Sequence, residues 1–214
     1  MGAKKSMTVK NAGREALFTD AVEPFDIAIH PWEDSGYDPK VEGRICYDGA
    51  GIHIGFTVWE DQVVINHFNK NDPVSLDSCV EFFVSPWPEG SPHYANFEIN
   101  AIGTFLAKNR PGPNEMQFIE RSETDREFDI RTSLSRENHS DFKGPFWQVS
   151  YTVPRSVLER YFPGCELKSG AVWRANFYKC GHGDYLNHKM AWSDIKTEKP
   201  QFHSPKFFGS ITLG

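Results

Sequence analysis

Two short alternating runs constrain this chain more than any other feature. They are Cys79-Val80-Glu81-Phe82-Phe83-Val84 and Tyr94-Ala95-Asn96-Phe97-Glu98-Ile99-Asn100-Ala101. Val80, Phe82 and Val84 fall opposite Glu81, while Phe97 and Ile99 fall opposite Asn96, Glu98 and Asn100. A period of two marks a strand with one face in a core, because a helical face repeats every 3.6 residues instead. Pro86-Trp87-Pro88 closes the first run, and Arg110-Pro111-Gly112-Pro113 closes the continuation of the second. Proline cannot donate to a ladder, so both runs must end there.

The rest of the chain reads the same way. Residues 44–48 and 52–59 form a hairpin through Asp48-Gly49-Ala50-Gly51, with Ile52, Ile54, Phe56 and Val58 on one face. Further strands are expected at 128–134, 146–153, 172–179, 188–192 and 207–213, and 23–37 reads as an edge segment leading into a loop. The one helix falls at 154–162, with Pro154 at its start and Val157, Leu158 and Tyr161 as its apolar patch. Residues 1–11 are polar and are expected to be a flexible segment. The sequence therefore predicts an all-β fold, a jelly-roll-like antiparallel β sandwich with one short helix, as a single domain over 12–214.

A chain of 214 residues can bury a core without cross-links. Its net charge is −6 and its longest basic run is the Lys4-Lys5 pair, so it offers no footprint for a phosphate backbone and nucleic acid is not an expected partner. No apolar stretch approaches the roughly 20 residues of a membrane span, and the first residues lack the apolar centre of a secretion signal. Cys46, Cys79, Cys165 and Cys180 show no CxxC spacing, which leaves a zinc knuckle or thioredoxin-type site unsupported. Cys79 and Cys180 both sit in strand-like segments and are expected to lie close together. His182, Asp184 and His188 could ligate a transition metal, but their spacing matches no zinc signature and a solvated loop is the better reading. The oxygen-rich loop from Asp72 to Asp77 could hold calcium, although it lacks the acidic spacing of an EF hand.

Glu81, Asn96, Glu98, Asn100, Asn176 and Tyr178 all alternate with apolar neighbours, so they line one polar face if their strands share a sheet. Carboxylates, amides and a phenol suit sugar hydroxyls, and aromatic rings suit the apolar face of a pyranose. A solvated outer face of an antiparallel sheet carries the same pattern. Two carboxyls on neighbouring strands also permit glycosidase chemistry, with one as acid and the other as nucleophile or base. All three readings stay open at this point.

The segments 77–83 and 94–100 with Gly103, then Trp147-Gln148-Val149, Asn176-Phe177-Tyr178, Ala191-Trp192-Ser193-Asp194 and Phe202-His203-Ser204-Pro205, resemble in order those of family 9 carbohydrate-binding modules. The resemblance runs from about Gly43 to the C-terminus and points to a divergent, Bacteroidetes-type branch. It implies a sandwich that binds sugar without catalysis, structural calcium, and a glycan end clamped between two tryptophans. Glu81 matches a polar residue of that site and Phe202 matches one clamp position. The other clamp position falls near Val74 and Ser75, and Glu98 stands where an arginine is expected. The expected binding set is therefore Glu81, Asn96, Glu98, Asn100, Asn176 and Tyr178 for hydroxyls, with Phe202 and Trp192 for stacking. The expected partner is an oligosaccharide or polysaccharide, with a protein of a glycan-utilisation system as a further partner, and the expected setting is periplasmic, cell-surface or secreted. The alternatives are a module that kept the fold and lost the sugar, and then a glycan hydrolase.

Overall fold

The structure, a computed structural model, describes residues 4–33, 35–182 and 186–214. In chain order its elements are β1 (Ser6–Asn11), β2 (Phe25–Asp26), β3 (Lys40–Tyr47), β4 (Gly51–Trp59), β5 (Cys79–Ser85), β6 (Tyr94–Asn100), β7 (Phe105–Arg110), β8 (Gln117–Phe118), β9 (Arg131–Thr132), β10 (Trp147–Pro154), α1 (Arg155–Tyr161), β11 (Val172–Gly181), β12 (His188–Ala191) and β13 (Gly209–Leu213). One layer runs β8-β7-β6-β5-β11-β13-β1, with β12 on β11. The other runs β1-β3-β4-β10-β9, with β2 on β3. Strand β1 belongs to both, since residues 6–9 pair with β13 and Lys10 and Asn11 pair with β3. It turns the corner of a curled sheet folded into a sandwich.

Two expectations are corrected here. Of the segment 1–11, expected to be flexible, residues 6–11 instead form this corner strand. Within it Val9 alone is buried, so backbone pairing rather than apolar alternation holds it. The sandwich is also not purely antiparallel, since both pairings of β1 are parallel. The expected strand at 128–134 shrinks to β9 after a 3-10 turn at Arg126–Phe128, because Asp125 and Asp129 flank that turn in left-handed conformations. Residues 23–37 contribute β2 and an isolated bridge from Ile29 to Ala191.

The core lies between the layers. Ile52, Ile54, Phe56 and Val58 of β4 are fully buried, as are Val80, Phe82 and Val84 of β5 and Phe97 and Ile99 of β6. Rings meet across the gap, Phe56 with Phe177 at 6.5 Å and Phe97 with Tyr151 at 6.4 Å between centroids. Each such side chain contributes about 1.5–3 kcal/mol by leaving water. The β6–β7 connection turns at Gly103, whose φ of +87° favours glycine. Among the described residues no helix is long and apolar enough to cross a membrane. With its inner face occupied, the first layer presents the opposite residues of β5, β6, β7 and β11 on its outer side.

Candidate functional site

The pairing registers align these outward residues in rows. Leu106, Glu98, Glu81 and Tyr178 form one row across β7, β6, β5 and β11, flanked by Asn100, Cys79 and Cys180 on one side and by Lys108, Asn96, Phe83 and Asn176 on the other. The face is not a solvated surface. Residues 192–208 cross over it and build a second apolar cluster with Phe83, Tyr94, Tyr178, Ile195 and Phe208. Phe202 lies flat on Tyr178, with centroids 4.1 Å apart and planes within 12°, and the His203 ring sits 5.0 Å from Phe83.

What this cover leaves open is a cavity of about 150 Å³. Glu81, Glu98 and Cys180 line it from the sheet, while Ser75, His182, Lys189 and Pro200 to His203 line it from the loops. Glu81 and Glu98 are directly paired across the strands and are 2% and 5% exposed, so they form its base. A larger hollow of about 580 Å³ adjoins it, sharing Gln201 and His203 and adding Tyr94, Arg110 and Arg174.

The base is electrostatically asymmetric. The Cys180 thiol lies 3.2 Å from Glu81 Oε1 and donates to it, and Asn96 Nδ2 donates to Glu98 Oε1 at 2.8 Å. A carboxyl can accept about four hydrogen bonds, so both retain capacity toward the cavity. Burial, reinforced by Cys180 and Glu98, pushes the Glu81 carboxyl well above the ordinary range. Burial also raises Glu98, but Lys108, Arg110 and the bond from Asn96 oppose the rise. Glu81 is thus the first of the pair to take a proton as pH falls. Burial and the nearby Arg110 and Lys108 lower His203 to about 3, so its ring is neutral. Arg110 Nη2 stands 3.5 Å from its Nε2, and its Nδ1 is 2.9 Å from the Tyr94 hydroxyl.

The structure divides the expected binding residues. Glu81, Glu98 and Phe202 line the cavity. Asn96 reaches it indirectly, bridging Glu98 to Arg110, whose Nε donates to Asn96 Oδ1 at 3.0 Å. Asn100 and Asn176 do not line the cavity, and other groups of the chain occupy their amides. Asn100 donates to His67 O and Asp77 Oδ2 and accepts from Ile102 N and Thr104 N. Asn176 donates to Ser193 O and accepts from Ser193 N and Phe177 N. Tyr178 is fully buried beneath Phe202, to whose carbonyl its hydroxyl donates, and so supports the wall from behind. Trp192, expected to stack on a sugar, packs in the main core against Phe25 and Phe177. Gly209 leaves it room, since a Cβ there would come within 2.4 Å of the indole. The wall expected near Val74 and Ser75 consists of half-buried Ser75, with Val74 buried.

The metal candidates fare similarly. His182 lines the cavity, His188 instead meets Lys179 Nζ at 3.1 Å in a buried network with Glu60, and Asp184 lies outside the described residues. In the oxygen-rich loop from Asp72 to Asp77, N–H donors engage Asp77 on both oxygens and Asp72 on Oδ2. Asp77 accepts from Asn66 N, His67 N and Asn100 Nδ2, and Asp72 accepts from Phe68 N and Asn69 N. Cys79 and Cys180 do lie together, directly opposite one another and unbridged. The sequence reading missed Cys180, Lys108, Arg110 and His203 as site neighbours. The basic residues had a signal, since Lys108 and Arg110 alternate on β7 as Asn96 and Glu98 do on β6.

Comparison with known proteins follows the same architecture. The profile described as Carbohydrate-binding family 9 matches residues 12–213. A Bacteroides uniformis protein, provisionally assigned to carbohydrate binding, is 30% identical over 99% of this chain and 100% of its own, with a TM-score of 0.82. Two structures of a family 9 carbohydrate-binding module from Caldicellulosiruptor kristjanssonii share the fold. The glucose complex is 12% identical, covers 98% and 96% of the two chains and has a TM-score of 0.61; the cellotriose complex gives 13%, 98%, 93% and 0.62. No curated protein matches the chain.

Proposed function

The chain belongs to carbohydrate-binding family 9, and on that premise we propose that it binds the end of a glycan, without turnover, in the pocket based on Glu81 and Glu98. The observation that carries this reading is the buried pairing of these two carboxyls at the bottom of a small cavity walled by Phe202. Burying carboxyls is costly unless something bonds them, and vicinal hydroxyls offer donors and acceptors at the spacing of neighbouring side chains. Glu81, the readier of the two to hold a proton, donates to one hydroxyl. Glu98, kept more acidic by Lys108 and Arg110, accepts from another. Phe202 meets the apolar face of the ring with the surface that Tyr178 leaves uncovered.

The size difference between the two cavities supports an end rather than an internal segment. The cavity of about 150 Å³ takes a terminal unit, and the remaining units run past Gln201 and His203 into the hollow of about 580 Å³. Lacking an aromatic at Ser75, the site stacks the sugar from one side, which lowers affinity on the order of 1 kcal/mol per missing ring contact. Binding of glucose and cellotriose by the Caldicellulosiruptor relatives makes these the first ligands to try.

Calorimetry with glucose, cellobiose and cellotriose, each with a free and a chemically reduced end, tests the proposal. Binding is expected for at least one sugar, to depend on the state of its end, and to weaken at least tenfold in Glu81→Ala, the loss of a charged or strongly polar hydrogen bond. Absence of heat across a broad sugar panel, or binding indifferent to Glu81→Ala, would overturn it.

A further inference from the structure

Beyond sugar binding, we infer that Cys79, Cys180 and Glu81 form a binding site for one thiophilic divalent cation, of the zinc or cadmium type, at the base of the pocket. Among the described residues this is the one group of three His, Cys, Asp or Glu side chains whose ligand atoms all lie within 4.8 Å of one another. Cys79 and Cys180 face each other across β5 and β11, and Glu81 follows two residues along the same face of β5. Cys180 Sγ is 3.2 Å from Glu81 Oε1. A tetrahedral zinc ion with Zn–S near 2.3 Å and Zn–O near 2.0–2.2 Å sets its ligand atoms ~3.5–3.8 Å apart. The three atoms therefore need to move little, and rigid central strands hold them in place.

The donor set selects the ion. Two sulfurs and one carboxylate oxygen suit zinc or cadmium, whereas calcium takes six to eight oxygens. Two thiolates and one carboxylate on a divalent ion leave a net charge of −1, which the nearby Lys108, whose charge favours the ionised form of Glu81, offsets in part. Cys79 is fully buried, but Cys180 and Glu81 line the cavity, so the ion has an entry path and a fourth position facing the pocket. Binding releases the two thiol protons to solvent, together with any proton on Glu81, and breaks no other bond. Because Glu81 would serve both the ion and a sugar, the loaded protein is expected to bind glucose differently from the free one.

Titration of fully reduced protein with cadmium alone tests the site. A thiolate-to-metal charge-transfer band should rise to a break at one equivalent. It should persist in a Cys46→Ser, Cys165→Ser double variant and vanish in Cys79→Ser and in Cys180→Ser. Absorption spectroscopy at the zinc edge on zinc-loaded wild type needs no variant to fold, and should count two sulfurs near 2.3 Å. Zero or one sulfur, no band from protein whose four thiols are counted in denaturant, or a Cys79–Cys180 disulfide that reforms against reductant would each overturn the inference. These readouts are independent of sugar binding, so the failure of either proposal leaves the other standing.

Discussion

Asn100 and Glu98 sit two residues apart on one face of β6, yet their side chains have opposite fates. The Asn100 amide is consumed in fastening the loop that carries His67 and Asp77 through its Nδ2 and the β6–β7 turn through its Oδ1, whereas Glu98 keeps lone pairs for the cavity. Alternation identifies the face a residue points to but not who meets it there. Among the partners of Asn100 and Asn176 are His67, Asp77 and Ser193, far away in sequence, which no spacing encodes. Ionisation separates the residues further. Folding raises the proton affinity of Glu81 above its ordinary 4.5, so the folded chain binds more protons than the unfolded one between 4.5 and the raised value. Stability contributed by the protonated group is complete below that window and falls as pH rises through it. Glu81→Gln removes the ionisation, so its thermal midpoint should gain on wild type from pH 5 to pH 8; a pH-independent difference would contradict the assignment. Two aromatics make a second contrast. Trp192→Ala should cost about 3–5 kcal/mol in denaturant unfolding, as for a core aromatic, whereas Phe202→Ala should chiefly reduce sugar affinity.

At the scale of elements, β5, β6 and β4 were legible because each buries one face in the core and follows a strict period of two. So was the proximity of Cys79 and Cys180, since both lie on central strands. Strand β1 was not legible. It buries Val9 alone and draws its order from two parallel neighbours, β13 near the C-terminus and β3. Removing residues 1–11 should therefore expose the edges of β13 and β3 and cost on the order of 3 kcal/mol or more. A fall in thermal midpoint of ~6–12 °C is expected by differential scanning calorimetry. An unchanged midpoint would restore the reading of this segment as a loose leader. The cover over the outer face of β5, β6 and β11 was equally hidden. Residues 192–208 contain little regular structure, and their role emerges only when Phe202 is seen on Tyr178 and His203 beside Phe83.

For the whole molecule, a sandwich with a filled interior has no room for a ligand between its layers, so function moves to an outer face. Here that face is covered by a loop, which converts a flat polar sheet into a small open pocket with a larger hollow beside it. The sequence resemblance carried the family, and the structure places Glu81 and Phe202 at one cavity with Ser75, near which the resemblance implied a clamp position, while Lys108 and Arg110 bring positive charge from β7 to Glu98. The most direct measurement is a crystal structure with cellotriose bound. The account predicts a terminal ring against Phe202, with hydroxyls in hydrogen-bond contact with Glu81 and Glu98 and the next unit passing His203. A sugar seated on any other surface, or an empty pocket at saturating sugar, would contradict it.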